Sequence, residues 1–114
     1  MDFRLDEQQQ MMIETARRIG AAYGPDYWRD LDAREAFPAE IWRAICEAGL
    51  CGIALPEEYG GSGLGMLEMA LAVETLSEGG GGSTLGQLYM CNPIFGGVPL
   101  SKFGSDEQRR TLLP

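Results

Sequence analysis

The chain has 114 residues, with 9 basic and 17 acidic side chains, no histidine and a net charge of −8. That length makes one domain, able to bury roughly two thirds of the surface its unfolded form exposes, with the 45% hydrophobic content of an ordinary globular protein. The acidic balance repels phosphate backbones and anionic lipid and so argues against nucleic-acid and membrane-surface binding. The missing histidine removes Ser-His-Asp and Cys-His catalysis and any imidazole zinc ligand.

At the N-terminus, Met1-Asp2-Phe3-Arg4-Leu5-Asp6 has neither the basic nor the apolar region of a secretory signal. No apolar run approaches the ~20 residues that cross a bilayer. Cys46, Cys51 and Cys91 are odd in number and have no framework or Cys-x-x-Cys spacing. They read as reduced thiols rather than metal ligands, in a cytoplasmic setting.

The first helix opens at Asp6, which pairs with Gln9 as a capping box, with Leu5 before it as a staple. Met12, Ala16, Ile19 and Tyr23 make one apolar stripe, read as core-facing, and Gly24-Pro25 ends the helix. Asp26 to Glu35 reads as a brief charge-rich helix with Trp28 and Leu31 turned inward. A second main helix runs from Pro38 at its first position to Ala48, burying Ile41, Ile45 and Ala48. Gly49 is its left-handed stop. Leu50 to Leu55 is too short for a helix and is expected to be a buried extended piece closed by Pro56. Glycines 60, 61, 63 and 65 then build a turn. The adjacent carboxylates Glu57 and Glu58 lie in that turn, where they are read as solvated groups or braces before acid–base catalysts.

A third helix is expected from Met66 to about Glu78, with Met66, Met69, Ala70, Val73, Leu76 and Ser77 on one face. Gly79-Gly80-Gly81-Gly82 cannot sit inside a helix at about 1 kcal/mol each, and reads as a hinge or tight connection. A phosphate cradle would need a following Lys-Ser/Thr, which is absent. Ser83 is expected to cap a fourth helix from Thr84 to about Phe95, along which Gln87, Cys91 and Phe95 fall in four-residue steps. Pro93 predicts a kink or an early end, and Gly96-Gly97 with Pro99 a further bend. Gly104 stops another turn, and Ser105-x-x-Gln108 is a second capping box opening a last short helix through Leu113. No convincing strand pattern appears. The expected fold is all-α, an orthogonal or bundle-like packing of about five or six helices.

One string is more specific than any of these features. Gly49-Leu50-x-Gly52-Ile53, followed by Pro56-Glu57-Glu58-Tyr59-Gly60-Gly61-x-Gly63-Leu64-Gly65, stands directly after an amphipathic helix. With the ending Lys102-Phe103-Gly104 through Leu113-Pro114, it resembles the N-terminal helical domain of the flavin-dependent acyl-CoA dehydrogenases. The resemblance extends from about Leu5 to Pro114, departing from the family's mixed small and polar link at Gly79–Gly82.

The resemblance implies that residues 1–114 are the first of three domains, with a middle β-domain and a C-terminal helical domain absent. It implies FAD held between those other two domains and none bound by this piece alone. A catalytic glutamate from the C-terminal region would take the α-proton of an acyl-CoA while the β-hydride passes to flavin N5. The catalytic residues in this chain would then be none, and the piece inactive by itself. Its part would be one wall of the acyl-chain pocket, with Gln87, Cys91 and Phe95 as substrate-binding positions. Implied partners are the acyl-CoA substrate, an electron acceptor and further copies in a dimer or tetramer. Two other readings stay open: a related flavin-dependent monooxygenase or oxidase sharing this domain, such as a nitroalkane oxidase, or a free-standing helical interaction module.

Overall fold

A computed structural model describes residues 2–114; Met1, where the N-terminal segment begins, lies outside the described residues. Seven α-helical segments follow in chain order: α1 (Glu7–Ala22), α2 (Pro25–Ala33), α3 (Ala39–Glu47), α4 (Met66–Leu76), α5 (Gly82–Tyr89), α6 (Val98–Phe103) and α7 (Asp106–Leu112). No strand occurs among the described residues. A π-helical stretch, Met90–Gly97, joins α5 to α6 without a break in helical backbone, so those two segments act as one rod. The architecture is therefore all-α, with six helical bodies.

Both sequence-predicted capping boxes form. Asp6 accepts from the Gln9 N–H at 2.7 Å while Gln9 Oε1 accepts from the Asp6 N–H at 3.1 Å. Ser105 and Gln108 repeat the exchange at 3.2 and 2.9 Å. The stripe of α1 faces inward as expected: Ala16 is fully buried, and Met12, Ile19 and Tyr23 pack against the core. The core itself is built from Ala16, Ile41, Ile45, Leu50, Ile53, Met69, Ala72, Leu76, Leu85 and Tyr89. Trp28 turns in from α2 and donates its indole N–H to the Tyr23 carbonyl at 3.0 Å.

Several expectations are corrected. Leu50 to Leu55 is not extended: Leu50–Gly52 forms a 3-10 turn that coils on from the left-handed Gly49, burying Leu50, Ile53 and Leu55 by turn geometry. Three backbone hydrogen bonds then zip this coil to the glycine turn: Ser62 N–H to Gly52, Gly63 N–H to Leu55, and Leu64 N–H to Ile53, at 2.8–2.9 Å. Pro38 caps α3 rather than occupying its first position, and Ala48 is exposed, because α3 ends one residue earlier. The inward face of α4 is rotated towards Met69, Ala72, Thr75 and Leu76, leaving Met66 and Ala70 exposed. Ser83 caps nothing; α5 begins at Gly82, without a side-chain cap.

The glycine run is a tight connection, achieved by a route periodicity does not reveal. Ser77–Gly81 coils as a π-turn broken at Gly80, whose φ of 128° no β-carbon residue adopts readily. Gly79 lies directly on the backbone of Gly20 in α1, where a β-carbon would overlap the Gly20 carbonyl group. The two glycines let α1 and the α4–α5 corner touch backbone to backbone.

Candidate functional site

The 82–103 rod carries all three sequence-predicted site residues and is held by its opposite face. Leu85 and Tyr89 are fully buried, and Pro93 is buried as well. The Tyr89 hydroxyl donates to the Leu50 carbonyl at 2.5 Å, tying the rod to the 3-10 turn beyond α3. Burial first, and the nearby Cys51 second, push the Tyr89 hydroxyl well above its usual range, so it stays a proton donor at any physiological pH.

Pro93 does not end the rod, which stays helical through it. In an α-helix a proline ring clashes with the preceding turn and removes a backbone hydrogen bond. Here the turn widens to the π pattern, in which the Val98 N–H reaches the Pro93 carbonyl five residues back. In that pattern Pro93 should serve the Leu88 carbonyl but has no N–H. The Asn92 side chain supplies the missing donor, its Nδ2 bonding Leu88 O at 2.9 Å. The expected bend at Gly96-Gly97 and Pro99 is absent too, since Gly97 and Val98 keep helical dihedrals and Pro99 falls in the first turn of α6, where a missing N–H costs little.

Gln87, Cys91 and Phe95 all face outward, with Phe95 62% exposed. A four-residue step overshoots one turn of an α-helix and falls short of one in the wider π turn, so the three keep near a single line despite the change of pitch. Nothing in the sequence pattern signalled the π stretch; the Asn92-Pro93 pair is the one clue, legible only once the Leu88 acceptor is known.

Two clefts open beside the end of α3, the smaller of them against the rod. The larger, of about 590 Å³, is lined by Cys46, Cys51, Glu58, Tyr59 and glycines of the turn. The smaller, of about 350 Å³, is more apolar, between Trp42, Leu55, Pro93, Leu100 and Leu113, and shares Cys46 and Cys51. None of Gln87, Cys91 and Phe95 borders either cleft. Glu57 and Glu58 sit exposed in the 3-10 turn Glu57–Tyr59.

The rod thus packs Leu85, Tyr89 and Pro93 into the fold and turns Gln87, Cys91 and Phe95 to solvent in an all-α domain. Comparison with known proteins gives that domain its class. Residues 6–114 match the family model described as acyl-CoA dehydrogenase, N-terminal domain. The chain belongs to the acyl-CoA dehydrogenase family. It is 35% identical over 113 residues to the probable acyl-CoA dehydrogenase YngJ of Bacillus subtilis, covering 99% of this chain and 29% of that protein. It is 34% identical over 114 residues to the acryloyl-CoA reductase (NADH) of Anaerotignum propionicum, covering 100% of this chain and 28% of that one. Among solved structures, a chain from work on the electron transferring flavoprotein of Acidaminococcus fermentans superimposes with a TM-score of 0.87 at 34% identity, over 99% of this chain and 29% of that chain. The chain thus spans less than a third of the length of the relatives it matches.

Proposed function

We propose that this domain forms one wall of the acyl-chain pocket in a flavin-dependent acyl-CoA dehydrogenase, and that the Gln87–Cys91–Phe95 line faces the acyl tail. The observation that carries the reading is the bare outer face of the 82–103 rod, on which an aromatic residue and a thiol stand unpacked beside a neutral amide. Such a face suits an uncharged hydrocarbon tail; it offers nothing to a phosphate.

FAD is assigned to the rest of the longer polypeptide. The lining of the larger cleft holds Glu58 and no arginine or lysine, which does not fit a pyrophosphate, so no step of the redox chemistry is routed through these residues. In this reading the domain shapes and dries the tail end of the pocket, positions the acyl chain, and is inactive alone. Family membership supports an oxidoreductase acting on acyl-CoA thioesters, with an electron-carrying partner and a dimeric or tetrameric assembly. The acryloyl-CoA reductase relative, as similar as the dehydrogenase relative, favours one second reading: the same wall serving an enzyme that runs the reaction in the reducing direction.

The test is Cys91→Trp in the intact protein. The added indole is expected to shift the preferred acyl chain toward shorter substrates while the flavin absorbance stays unchanged. An unaltered chain-length profile would remove Cys91 from the pocket.

A further inference from the structure

The two clefts share one chemical feature that the acyl-wall reading does not use. Cys46, in the last turn of α3, and Cys51, in the 3-10 turn beyond Gly49, place their sulfurs 3.6 Å apart, in S–H···S contact. Both thiols are free; Cys46 is exposed and Cys51 half-buried beneath it. They stand five positions apart in sequence, a spacing with no motif value, and the left-handed Gly49 folds the chain back so that they meet.

We propose that Cys46 and Cys51 form a reversible dithiol–disulfide couple, a modification site whose reactant is a small solvent-borne disulfide of the glutathione type. Closing the bond requires the sulfurs to approach by about 1.5 Å, to the 2.03–2.05 Å of a disulfide. Cys46 at the surface has the freedom to supply that movement. The open clefts on either side give a tripeptide-sized disulfide access to it.

The exchange proceeds in two balanced steps. Cys46, deprotonated, attacks one sulfur of the small disulfide, forming a mixed disulfide and expelling one thiolate. Cys51 then loses its proton to solvent and attacks the Cys46 sulfur, expelling the second thiolate. Two protein thiols are oxidised and one disulfide is reduced to two thiols. The order follows from position. Cys46 is the outer sulfur, while burial, with Cys46 beside it, pushes the Cys51 thiol up to about 12, fitting it to resolve rather than initiate. The closed bond would staple the end of α3 to the turn whose Leu50 carbonyl holds Tyr89, two residues before Cys91 on the rod.

The test uses the intact protein, fully reduced, then equilibrated with glutathione disulfide and glutathione in set ratios, quenched in acid, unfolded and alkylated. Cleavage after Glu40, Glu47 and Glu57 puts Cys46 and Cys51 on separate peptides. The expected result is a linked pair of these peptides lacking two hydrogens and carrying no label, with Cys91 still alkylated. Cys51→Ser should instead accumulate glutathione on Cys46, and Cys46→Ser should leave Cys51 reduced and labelled. Glutathione persisting on Cys46 in the unsubstituted protein, oxidation of Cys91 ahead of the pair, or no oxidation at any ratio would each overturn the proposal.

Discussion

The carboxylate of Glu68 takes a hydrogen bond from the Gly65 N–H at 2.9 Å through one oxygen and from Gln9 Nε2 at 2.8 Å through the other. Gln9 is itself half of the α1 capping box, so one chain of contacts satisfies the first turns of α1 and α4 together. The Gln9 bond foremost, with backbone donors, holds the Glu68 carboxyl below its usual 4.5. A depressed acid stabilises the fold above its unfolded value, and that contribution is lost as pH falls through the folded one. Glu68→Ala is therefore expected to lower stability by roughly 1 kcal/mol at neutral pH and by progressively less below pH 4.5. Denaturant midpoints measured from pH 7 down to 3 check this; a constant gap between the two proteins would show that the carboxylate is not what matters. Asp6 with Gln9, and Ser105 with Gln108, were legible in the sequence because a capping box is local. Glu68 joining Gln9 across 59 positions was not.

At the scale of elements, the same chemical change is predicted to act in opposite directions at two glycines. Gly79→Ala would drive a methyl into the Gly20 backbone, where neither partner can rotate away, and is expected to cost more than about 3 kcal/mol. Gly86 lies inside α5, where an added β-carbon would stand 3.2 Å from the Ser77 hydroxyl and in ordinary contact, 3.9 Å, with a Val73 methyl. Gly86→Ala is expected to be neutral or stabilising by up to about 1 kcal/mol through helix propensity, since that hydroxyl swings aside. Urea midpoints of the two variants decide it, and equal losses would dismiss the backbone-contact account. From sequence, the four-glycine run announced a connection, but nothing distinguished the glycine that packs from those that turn. Pro93 likewise announced a break, and the rod absorbed it by widening, because Asn92 and the i→i+5 pattern cover the lost bond.

As a whole, the molecule is a slab of 41 × 38 × 21 Å, two helix diameters thick. Its radius of gyration is 14.6 Å, where about 13 Å is usual for this length. Its accessible surface is 7259 Å², against about 6100 Å² for a free-standing protein of this mass. Phe3, Phe95 and Phe103 are among the large apolar side chains left in solvent. Produced as the 114-residue polypeptide, the slab is expected to bind an apolar dye and to associate with itself as concentration rises. Sedimentation analysis showing a monomer with no dye uptake would count against its being one layer of a larger enzyme.

The sequence by itself determined what depends on near neighbours along the chain: the two capping boxes, the left-handed Gly49, the inward stripe of α1, and the string around Pro56–Gly65 that marks the family. These rest on hydrogen bonds and steric limits within a few residues, which the residue types alone dictate. Only the tertiary structure decided how 50–55 coils rather than extends, which way α4 turns its face, that Gly79 meets Gly20, and that Cys46 meets Cys51. Each of those depends on where a distant segment sits when the chain closes, because a side chain's burial and a backbone's closest approach belong to pairs of surfaces rather than to one stretch of residues.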